Sequence, residues 1–471
     1  MAQIFLGIHI ASLIGLAAYG LLGFLTLWLF LRHRTDDSAS PQFSPDQLPS
    51  VTVQLPVYNE RGVVERLIAT IAKLEYPADR LEIQVLDDST DDTTRIAAEM
   101  IEQYSTAGKN IRLIHRTSRR GFKAGALEEA LHTAGGEFIA VFDADFVPDA
   151  DFLIRTIPYL LADPGIGAVQ ARWGHLNSDE SALTGAQAVA LDKHFAIEQL
   201  VRHRADLFPK FNGSAGVWRR ACIVDSGGWH YDTACEDLCL STRAVLRGWR
   251  FQFANDVVAP AELPPTILSY KAQQARWAMG ATQCLIKYFS PICRASGKTH
   301  LARAYSLLSM SAYLTHALFL ILLLVQLPLI LMDVRMPAWL YLFTFVGLGQ
   351  PILFILAQGT LYEDWLSRLR HFPTLLLIAI GIAPANTIAV IKGSLLHDFT
   401  FRRTPKGTSR SYRLTPDWTL IVEMGFMVYS GLTLALALLM GSTGSIFLLA
   451  SAVLGFSLVV GQSMKEYFLN K

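Results

Sequence analysis

The sequence has few cysteines, no excess of either charge and no internal repeat. The first two features exclude particular kinds of site and partner. Its 5 cysteines form no CxxC pair, and no histidine completes a zinc-binding spacing, so we expect reduced cytosolic thiols. The 41 Lys and Arg residues balance 40 Asp and Glu residues. Without a strongly basic surface, nucleic acid is not an expected partner.

Charged residues are also scarce relative to apolar ones. Of 471 residues, 52% are hydrophobic and 17% are charged. This composition is too apolar for an ordinary soluble protein and too charged for one that lies wholly within a membrane. It predicts a soluble domain joined to a membrane domain.

Long apolar runs define the expected membrane part. The first covers residues 5–31 and is followed at once by Arg32, His33 and Arg34. This arrangement predicts an N-terminal transmembrane helix over residues 1–35 and a cytoplasmic domain after it. A cleaved signal peptide is the alternative, but the start lacks a basic region and a clear cleavage site. Later apolar runs cover residues 305–332, 338–361, 375–396, 419–440 and 446–460.

The run at residues 375–396 has basic residues on both sides, which bears on how many runs cross the membrane. Arg368 and Arg370 precede it, and Arg402 and Arg403 follow it. The positive-inside tendency places both flanks in the cytoplasm, so residues 373–396 are expected to be re-entrant or interfacial. A sixth crossing is the alternative. We therefore expect a multi-pass integral membrane protein whose membrane domain covers residues 301–471, with a cytosolic loop at residues 397–417.

Residues 36–300 have the pattern of an α/β domain. Apolar runs at residues 51–57, 81–86, 111–115 and 138–142 are typical of strands, and they alternate with helical segments such as residues 63–74. An open α/β sheet binds ligands beyond the carboxyl ends of its strands. The polar motifs of this chain follow those strand ends.

Three acidic motifs and one aromatic motif occur in a fixed order: Asp87-Asp88, Asp143-Ala144-Asp145, Glu236-Asp237 and Gln273-Gln274-Ala275-Arg276-Trp277. Carboxylates at a strand end suit a divalent cation that bridges phosphates, because hard cations prefer oxygen ligands. A further carboxylate is then available as a base. The amide, guanidinium and indole of the last motif suit a diphosphate beside a sugar ring.

Together these motifs resemble those of the processive inverting glycosyltransferases of family 2, the group of cellulose, chitin and hyaluronan synthases. Residues 85–90, 122–127, 169–173 and 211–219 are most similar to the cellulose-synthase-like A proteins, which make mannan and glucomannan. The resemblance implies a cytosolic GT-A (Rossmann-like) α/β domain inserted in an α-helical transmembrane domain. It also implies an inverting transfer that gives a β-linkage.

The resemblance also implies a role for each matching residue. Asp237 would be the catalytic base, and Asp145 would bind Mg²⁺ or Mn²⁺, which residue types alone do not separate. Trp277 and Glu236 would bind the acceptor. Residues of the expected nucleotide-sugar site are Tyr58, Glu60, Asp88, Lys123, Asp143, Gln273 and Arg276. A gating loop over the nucleotide would use Phe401, Thr404 and Lys406.

Two alternatives concern residues beside this site. Asn59 and Glu60 could begin and cap the helix that follows the first strand, and this role is compatible with a place beside the ligand. Arg116, Arg119 and Arg120 are interpreted as a solvated basic face.

The expected function is transfer of a hexose from a nucleotide sugar to a growing β-linked polysaccharide of β-glucan, mannan or glucomannan type. The donor is expected to be UDP-glucose or GDP-mannose. Membrane lipids are also expected as partners. A lipid acceptor such as diacylglycerol, which would give a glycolipid, is the first alternative. A non-catalytic channel or scaffold is the second, and the complete set of acidic motifs argues against it. Protein partners are not indicated.

Overall fold

The computed structural model describes residues 1–35, 47–395 and 417–469. Within them lies a seven-stranded mixed sheet with the strand order β3-β2-β1-β4-β6-β5-β7. Strand β6 runs antiparallel to both of its neighbours, and the other pairs are parallel. The strands are β1 Val51–Val57, β2 Leu81–Asp87, β3 Ile111–His115, β4 Phe138–Val141, β5 Ile166–His175, β6 Gly216–Arg219 and β7 Arg250–Ala261.

Ten helices accompany the sheet as far as residue 293 in the described chain. They are α1 Ala2–His33, α2 Val64–Ile71, α3 Thr93–Thr106, α4 Phe122–Leu131, α5 Phe152–Ala162, α6 Ala182–Lys193, α7 Leu200–Arg204, α8 Arg220–Asp225, α9 Glu236–Leu246 and α10 Ile267–Cys293. A π-helix, His194–Gln199, joins α6 to α7, and a short 3₁₀ helix covers Ala78–Arg80.

Apolar side chains form a core on each face of the sheet. One core packs α2, α3 and α5 against strand residues such as Val53 and Leu55. The other packs α4, α8 and α9 against the opposite face, and it extends to α1 and α10. Burial of strands on both faces explains why they are almost continuously apolar. The seven-stranded sheet and several apolar helices therefore share one of the two cores.

The four strands expected from the sequence are present, and each expected boundary agrees to within one residue. Strands β5, β6 and β7 were not expected as strands. Strand β6 has only four residues, which is too short for a clear periodic pattern. The sheet is therefore mixed, because β6 enters it in the reverse direction.

The remaining helices are mostly apolar. They are α11 His300–Met310, α12 Leu314–Leu324, α13 Gln326–Leu331, α14 Leu342–Gly347, α15 Gly349–Leu361, α16 Trp365–Arg368, α17 Phe372–Gly381, α18 Ala383–Leu395, α19 Thr419–Leu439 and α20 Ile446–Leu469. Short 3₁₀ helices cover Ala338–Tyr341, Leu369–His371 and Thr443–Ser445.

Five helical segments in the described chain are long and apolar enough to cross a membrane: Ala2–His33, Leu314–Leu331, Ala338–Leu361, Thr419–Leu439 and Thr443–Phe468. A sixth candidate is a pair, Trp365–Gly381 and Ala383–Leu395, that bends by 51°. The run expected at residues 305–332 is broken, because its first six residues belong to α11 and α12 begins only at Leu314. Residues Phe401, Thr404 and Lys406 of the expected gating loop lie outside the described residues.

Candidate active site

One cavity at the carboxyl ends of β1, β2 and β4 brings together every expected site residue that the structure describes. These residues are Tyr58, Glu60, Asp88, Lys123, Asp143, Asp145, Glu236, Asp237, Gln273, Arg276 and Trp277. They come from loops and helices separated by more than 200 positions in the sequence. The sheet and α10 assemble them, as expected for ligand binding at the strand ends.

At one end of the cavity, two arginines hold residues of the β1 and β2 loops. The guanidinium of Arg116 donates to both carboxylate oxygens of Asp88, at 2.7 and 2.6 Å, and both side chains are buried. The guanidinium carbon of Arg119 lies 3.3 Å from the ring centroid of Tyr58, and Arg119 lines the cavity. The interpretation of Arg116 and Arg119 as a solvated face is therefore wrong. Only Arg120 of the three is exposed.

The sequence signal that could have identified Arg116 and Arg119 is their position. Both follow β3, whose carboxyl end lies beside that of β2. A basic loop next to an acidic one at the same sheet edge favours an ion pair over a solvated face. Sequence spacing alone does not indicate which arginine contacts which carboxylate.

Asn59 shapes the loop that presents Tyr58 and Glu60. Its backbone has φ = 55°, in the left-handed region, and its amide N–H donates to Ser89 Oγ at 2.8 Å. Its side-chain oxygen accepts from the Thr90 N–H at 2.8 Å. Helix α2 begins at Val64 without a side-chain cap, and the side chain of Asn59 contacts Thr90 instead of this helix. The carbonyl group of Glu60 accepts from the N–H groups of Val63 and Val64, both at 2.9 Å, so Glu60 does satisfy amide groups at the start of α2. Asn59 links its loop to the β2 loop.

Lys123 lies in the first turn of α4 and links the acidic motifs. Its Nζ donates to Asp143 Oδ1 at 2.6 Å and to the Gly213 carbonyl at 2.8 Å. It also lies 3.8 Å from Glu236 Oε1. Burial lowers the pKa of Lys123, but Asp143 and Glu236 outweigh that effect and hold the pKa above its usual value. The lysine is therefore a cation at the centre of the cavity.

Two aspartates of the cavity offer oxygen ligands for a divalent cation. Asp145 is buried, and Asp143 is partly exposed and paired with Lys123. Asp88 is less suited, because Arg116 already occupies both of its oxygens. Two carboxylates fit Mg²⁺ or Mn²⁺, which commonly take their remaining ligands from water and substrate phosphates. The pairing of Asp143 with Lys123 favours Asp145 as the metal ligand.

Asp237, the residue expected to be the base, lies at the start of α9. It is the second residue of α9, is half-buried and lines the cavity. Burial and the neighbouring charge of Glu236 raise the pKa of Asp237 to about 7. A carboxyl group with a pKa near neutrality suits general base chemistry at physiological pH.

Gly213 permits the close approach of Asp237 and Lys123. It adopts φ = 81°, and a Cβ atom at this position would lie 3.0 Å from Asp237 Oδ2 and 3.6 Å from Lys123 Nζ. A side chain here would both strain the backbone and crowd the carboxylate. The glycine was not singled out from the sequence, where it stands in a stretch used only for the family resemblance.

A second cavity adjoins the first on the side of the apolar helices. The two share Trp173, Leu191, Asn212, Asp237, Gln273 and Trp277. The rings of Phe211, Tyr270, Tyr313 and Phe354 also line the second cavity. Aromatic rings beside polar groups are suited to contact with a sugar ring.

One wall of this second cavity is charged. Glu198 accepts from Lys193 at 2.6 Å, His194 at 3.1 Å and Arg202 at 3.3 Å. Burial raises the pKa of Glu198, but these three groups hold it well below its usual range. Burial together with the nearby Arg202 charge lowers the pKa of Lys210, on the same wall, to about 7. The sequence analysis assigned no role to any of these residues.

Comparison with known proteins places these observations in a family. Residues 49–280 match the family described as "Glycosyltransferase like family 2". Glucomannan 4-beta-mannosyltransferase 2 of Arabidopsis thaliana is 36% identical over 417 residues, which are 84% of this chain and 76% of that protein. The chain belongs to glycosyltransferase family 2.

Other similar proteins agree with this assignment. Glucomannan 4-beta-mannosyltransferase 1 of Cyamopsis tetragonoloba is 48% identical over 236 residues, which are 49% of this chain and 45% of that protein. This chain thus spans less than half the length of that relative. A solved structure, the mannosyltransferase PcManGT from Pyrobaculum calidifontis in complex with GDP-Man and Mn²⁺, superposes with a TM-score of 0.58 at 24% identity. The alignment covers 82% of this chain and 98% of that one.

These findings confirm the resemblance expected from the motifs. This chain has a GT-A type fold with a mixed sheet and several apolar helices. The similar curated enzymes are glucomannan 4-β-mannosyltransferases, as the four motif stretches indicated.

Proposed function

We propose that this family 2 protein transfers mannose from a nucleotide donor to the end of a β-linked mannan or glucomannan chain. The observation that carries the proposal is the single cavity that joins Lys123, Asp145, Asp237, Arg276 and Trp277. The names of its relatives, glucomannan 4-β-mannosyltransferases, support mannose as the sugar and a β-1,4 linkage as the product. GDP-mannose is the first donor to test.

In this proposal the two ends of the first cavity bind different parts of the donor. Tyr58 and Arg119 would contact the nucleoside, and the carboxylates of Glu60 and Asp88 would accept hydrogen bonds from the base or the ribose. Lys123 would contact the diphosphate, because it is a partly buried cation at the start of a helix.

Asp145, with Asp143 beside it, would hold Mg²⁺ or Mn²⁺ against the diphosphate. Such an ion stabilises the negative charge that the leaving group acquires. Arg276 and Gln273 of α10 would contact the same leaving group from the opposite side of the cavity. The donor would therefore lie between α4 and α10.

The acceptor would enter from the second cavity. Trp277 lines both cavities, so its ring can stack on the terminal sugar while Glu236 contacts that sugar from the first cavity. Asp237 would take the proton of the attacking hydroxyl group. Attack from the side opposite the diphosphate inverts the anomeric centre and gives a β-linkage from an α-linked donor.

The charged wall around Glu198 favours a saccharide over diacylglycerol as acceptor. A sugar offers hydroxyl groups that can hydrogen-bond to the polar side chains of His194, Lys210 and Asn212, whereas an acyl chain would cover this polar wall and make no hydrogen bond to it. Lipid transfer remains the second candidate function only because the cavity adjoins apolar helices.

We also propose five membrane crossings and a re-entrant segment, with the catalytic domain in the cytoplasm. Arg204 donates to the carbonyl groups of His33 and Arg34, so the last turn of α1 lies against the catalytic domain. Both ends of the bent pair also contact that domain: His371 packs at Gly185 of α6, and Gly393 packs against Met279 of α10. Ends on the same side support re-entry rather than crossing.

The test is an incubation of detergent-purified protein with Mn²⁺ and either GDP-mannose or UDP-glucose, with β-1,4-mannotetraose or diacylglycerol as acceptor. Extension of the mannotetraose with GDP-mannose supports the proposal. A one-sugar lipid formed only with diacylglycerol would replace it with the glycolipid function, and no transfer under any condition would refute both.

A further inference from the structure

Three charged residues outside the two cavities hold α10, the helix that carries Gln273, Arg276 and Trp277. Two are carboxylates, Glu423 of α19 and Glu466 of α20. The third is Lys271 of α10 itself, two residues before Gln273. None of them lines either cavity, so none is explained by substrate binding.

Glu466 caps the N-terminus of α10. Its Oε1 accepts from the Ile267 N–H at 2.7 Å, and its Oε2 accepts from the Leu268 N–H at 3.2 Å. The first amide groups of a helix have no partners within the helix, and a carboxylate there is favoured by the helix dipole. Thr266 caps the Ser269 N–H locally, and a side chain from α20 adds partners for the two amide groups that precede it, so Glu466 ties the start of α10 to α20.

Lys271 and Glu423 form a buried ion pair one turn later. The lysine Nζ lies 3.1 Å from both carboxylate oxygens, and the side chains are only 6% and 0% exposed. Desolvation makes such pairs weak evidence for stability, because a well-packed apolar pair often replaces them without loss. The hydrogen bonds from Lys271 to Glu423 instead fix the position of α10 relative to α19.

The opposite half of α10 is tied to the segment that carries the base. Gln283 Oε1 accepts from the Ala234 N–H at 2.8 Å, three residues before Asp237. Gly280 lets α10 approach Cys235, where a Cβ atom would lie 2.3 Å from the cysteine sulfur. Helix α10 thus has one end on the apolar helices and the other beside the base, with the aromatic motif between them.

We infer that Lys271, Glu423 and Glu466 are positioning residues for sugar transfer, because they set the placement of Gln273, Arg276 and Trp277 relative to Asp237. The inference rests on the proposed function. A displacement of about 1 Å in a group that orients substrate can lower the rate about 10²-fold. The nucleoside end of the cavity is built by other elements and should be unaffected.

The experiment compares full-length, detergent-purified variants of equal monodispersity. The double variant Lys271→Met/Glu423→Leu removes both charges, so it avoids an unpaired buried charge. We expect kcat for mannotetraose extension to fall about 10²-fold, while the inhibition constant of GMP changes less than about twofold. A double variant with wild-type kcat would overturn the inference.

Glu466 gives a second, independent series. Glu466→Gln keeps one side-chain oxygen that can accept from the Ile267 or Leu268 N–H group, and Glu466→Ala keeps none. We therefore expect kcat to decrease in the order wild type, Gln variant, Ala variant. Lys287→Met is the matched control. Lys287 also lies on α10, but its ion pair with Asp232 is more exposed, so its loss should leave kcat unchanged. Equal rates across the Glu466 series would contradict the inference. Wild-type protein without any transfer would instead refute the proposed function.

Discussion

The substitution Asp237→Asn should lower transfer by at least about 10²-fold and at the same time stabilise the protein above neutral pH. Burial and Glu236 raise the pKa of Asp237 from 3.8 to about 7, so keeping the group ionised in the folded protein is unfavourable. A shift of about three pKa units corresponds to at most about 4 kcal/mol. Because the side chain faces a cavity and is only half-buried, we expect about 2 kcal/mol.

The sign of this effect depends on pH. The folded-state pKa lies above the unfolded value, so the unfavourable contribution of Asp237 grows as pH rises from about 4 to about 7 and is constant above that range. The asparagine variant should therefore unfold at a higher temperature than wild type at pH 8, and at the same temperature at pH 4. Thermal unfolding of the purified variants, followed by tryptophan fluorescence, measures this difference.

Activity gives the second half of the test. Removal of a general base typically lowers the rate about 10²–10⁴-fold, and we expect that loss in mannotetraose extension by Asp237→Asn. Wild-type kcat should decrease as pH falls below about 7, because the base becomes protonated. A variant with wild-type transfer, or one that is less stable than wild type at pH 8, would refute the reasoning.

Asp232→Asn is the matched control for stability. Burial raises the pKa of Asp232, but its ion pair with Lys287 outweighs burial and holds the pKa below the usual value. This carboxylate therefore contributes stability above its unfolded pKa, and the contribution is lost as pH falls. Its asparagine variant should be slightly less stable at pH 8, which is the opposite sign.

Three further predictions follow from other contacts of the site. Arg119→Ala should raise the KM for the nucleotide sugar about fivefold or more, from loss of about 1 kcal/mol of cation–π energy, whereas exposed Arg120→Ala should change it less than about twofold; steady-state kinetics measures both. EDTA should stop transfer and Mn²⁺ or Mg²⁺ should restore it, and Asp145→Asn should require more metal for half-maximal rate. Glu198→Gln should destabilise the protein by about 3–5 kcal/mol, because the buried cation Arg202 and the partly buried cation Lys193 lose the carboxylate that pairs with them; an unchanged thermal midpoint would contradict this account of the charged wall.

The sequence predicted those features of the site that depend on strand ends and on motif order. Apolar strands followed by acidic residues are sufficient to place Asp88, Asp143 and Asp145 at one sheet edge. The α10 residues were expected at the same site only through the family resemblance. The structure brings all of them to one cavity.

Contacts between distant segments could not be predicted in the same way. Arg116 and Arg119 read as a basic surface, because their partners lie 28 and 61 positions earlier in the chain. The charged wall at Glu198 was missed for a different reason: its partners Lys193, His194 and Arg202 are close in sequence, but the sequence does not reveal the π-helix His194–Gln199 or that these residues line a cavity. The antiparallel strand β6 and the break between α11 and α12 depend on tertiary packing that short apolar runs do not reveal.

The measurement that tests the central claim most directly is the size and linkage of the product formed from GDP-mannose and β-1,4-mannotetraose by purified protein with Mn²⁺. We predict oligosaccharides lengthened by β-1,4-linked mannose, formed by wild type and formed at least about 10²-fold more slowly by Asp237→Asn. Lengthening at the wild-type rate in the Asp237→Asn variant would contradict the assignment of the base. Free mannose or a one-sugar lipid as the sole product of wild type would contradict the proposed polysaccharide synthesis.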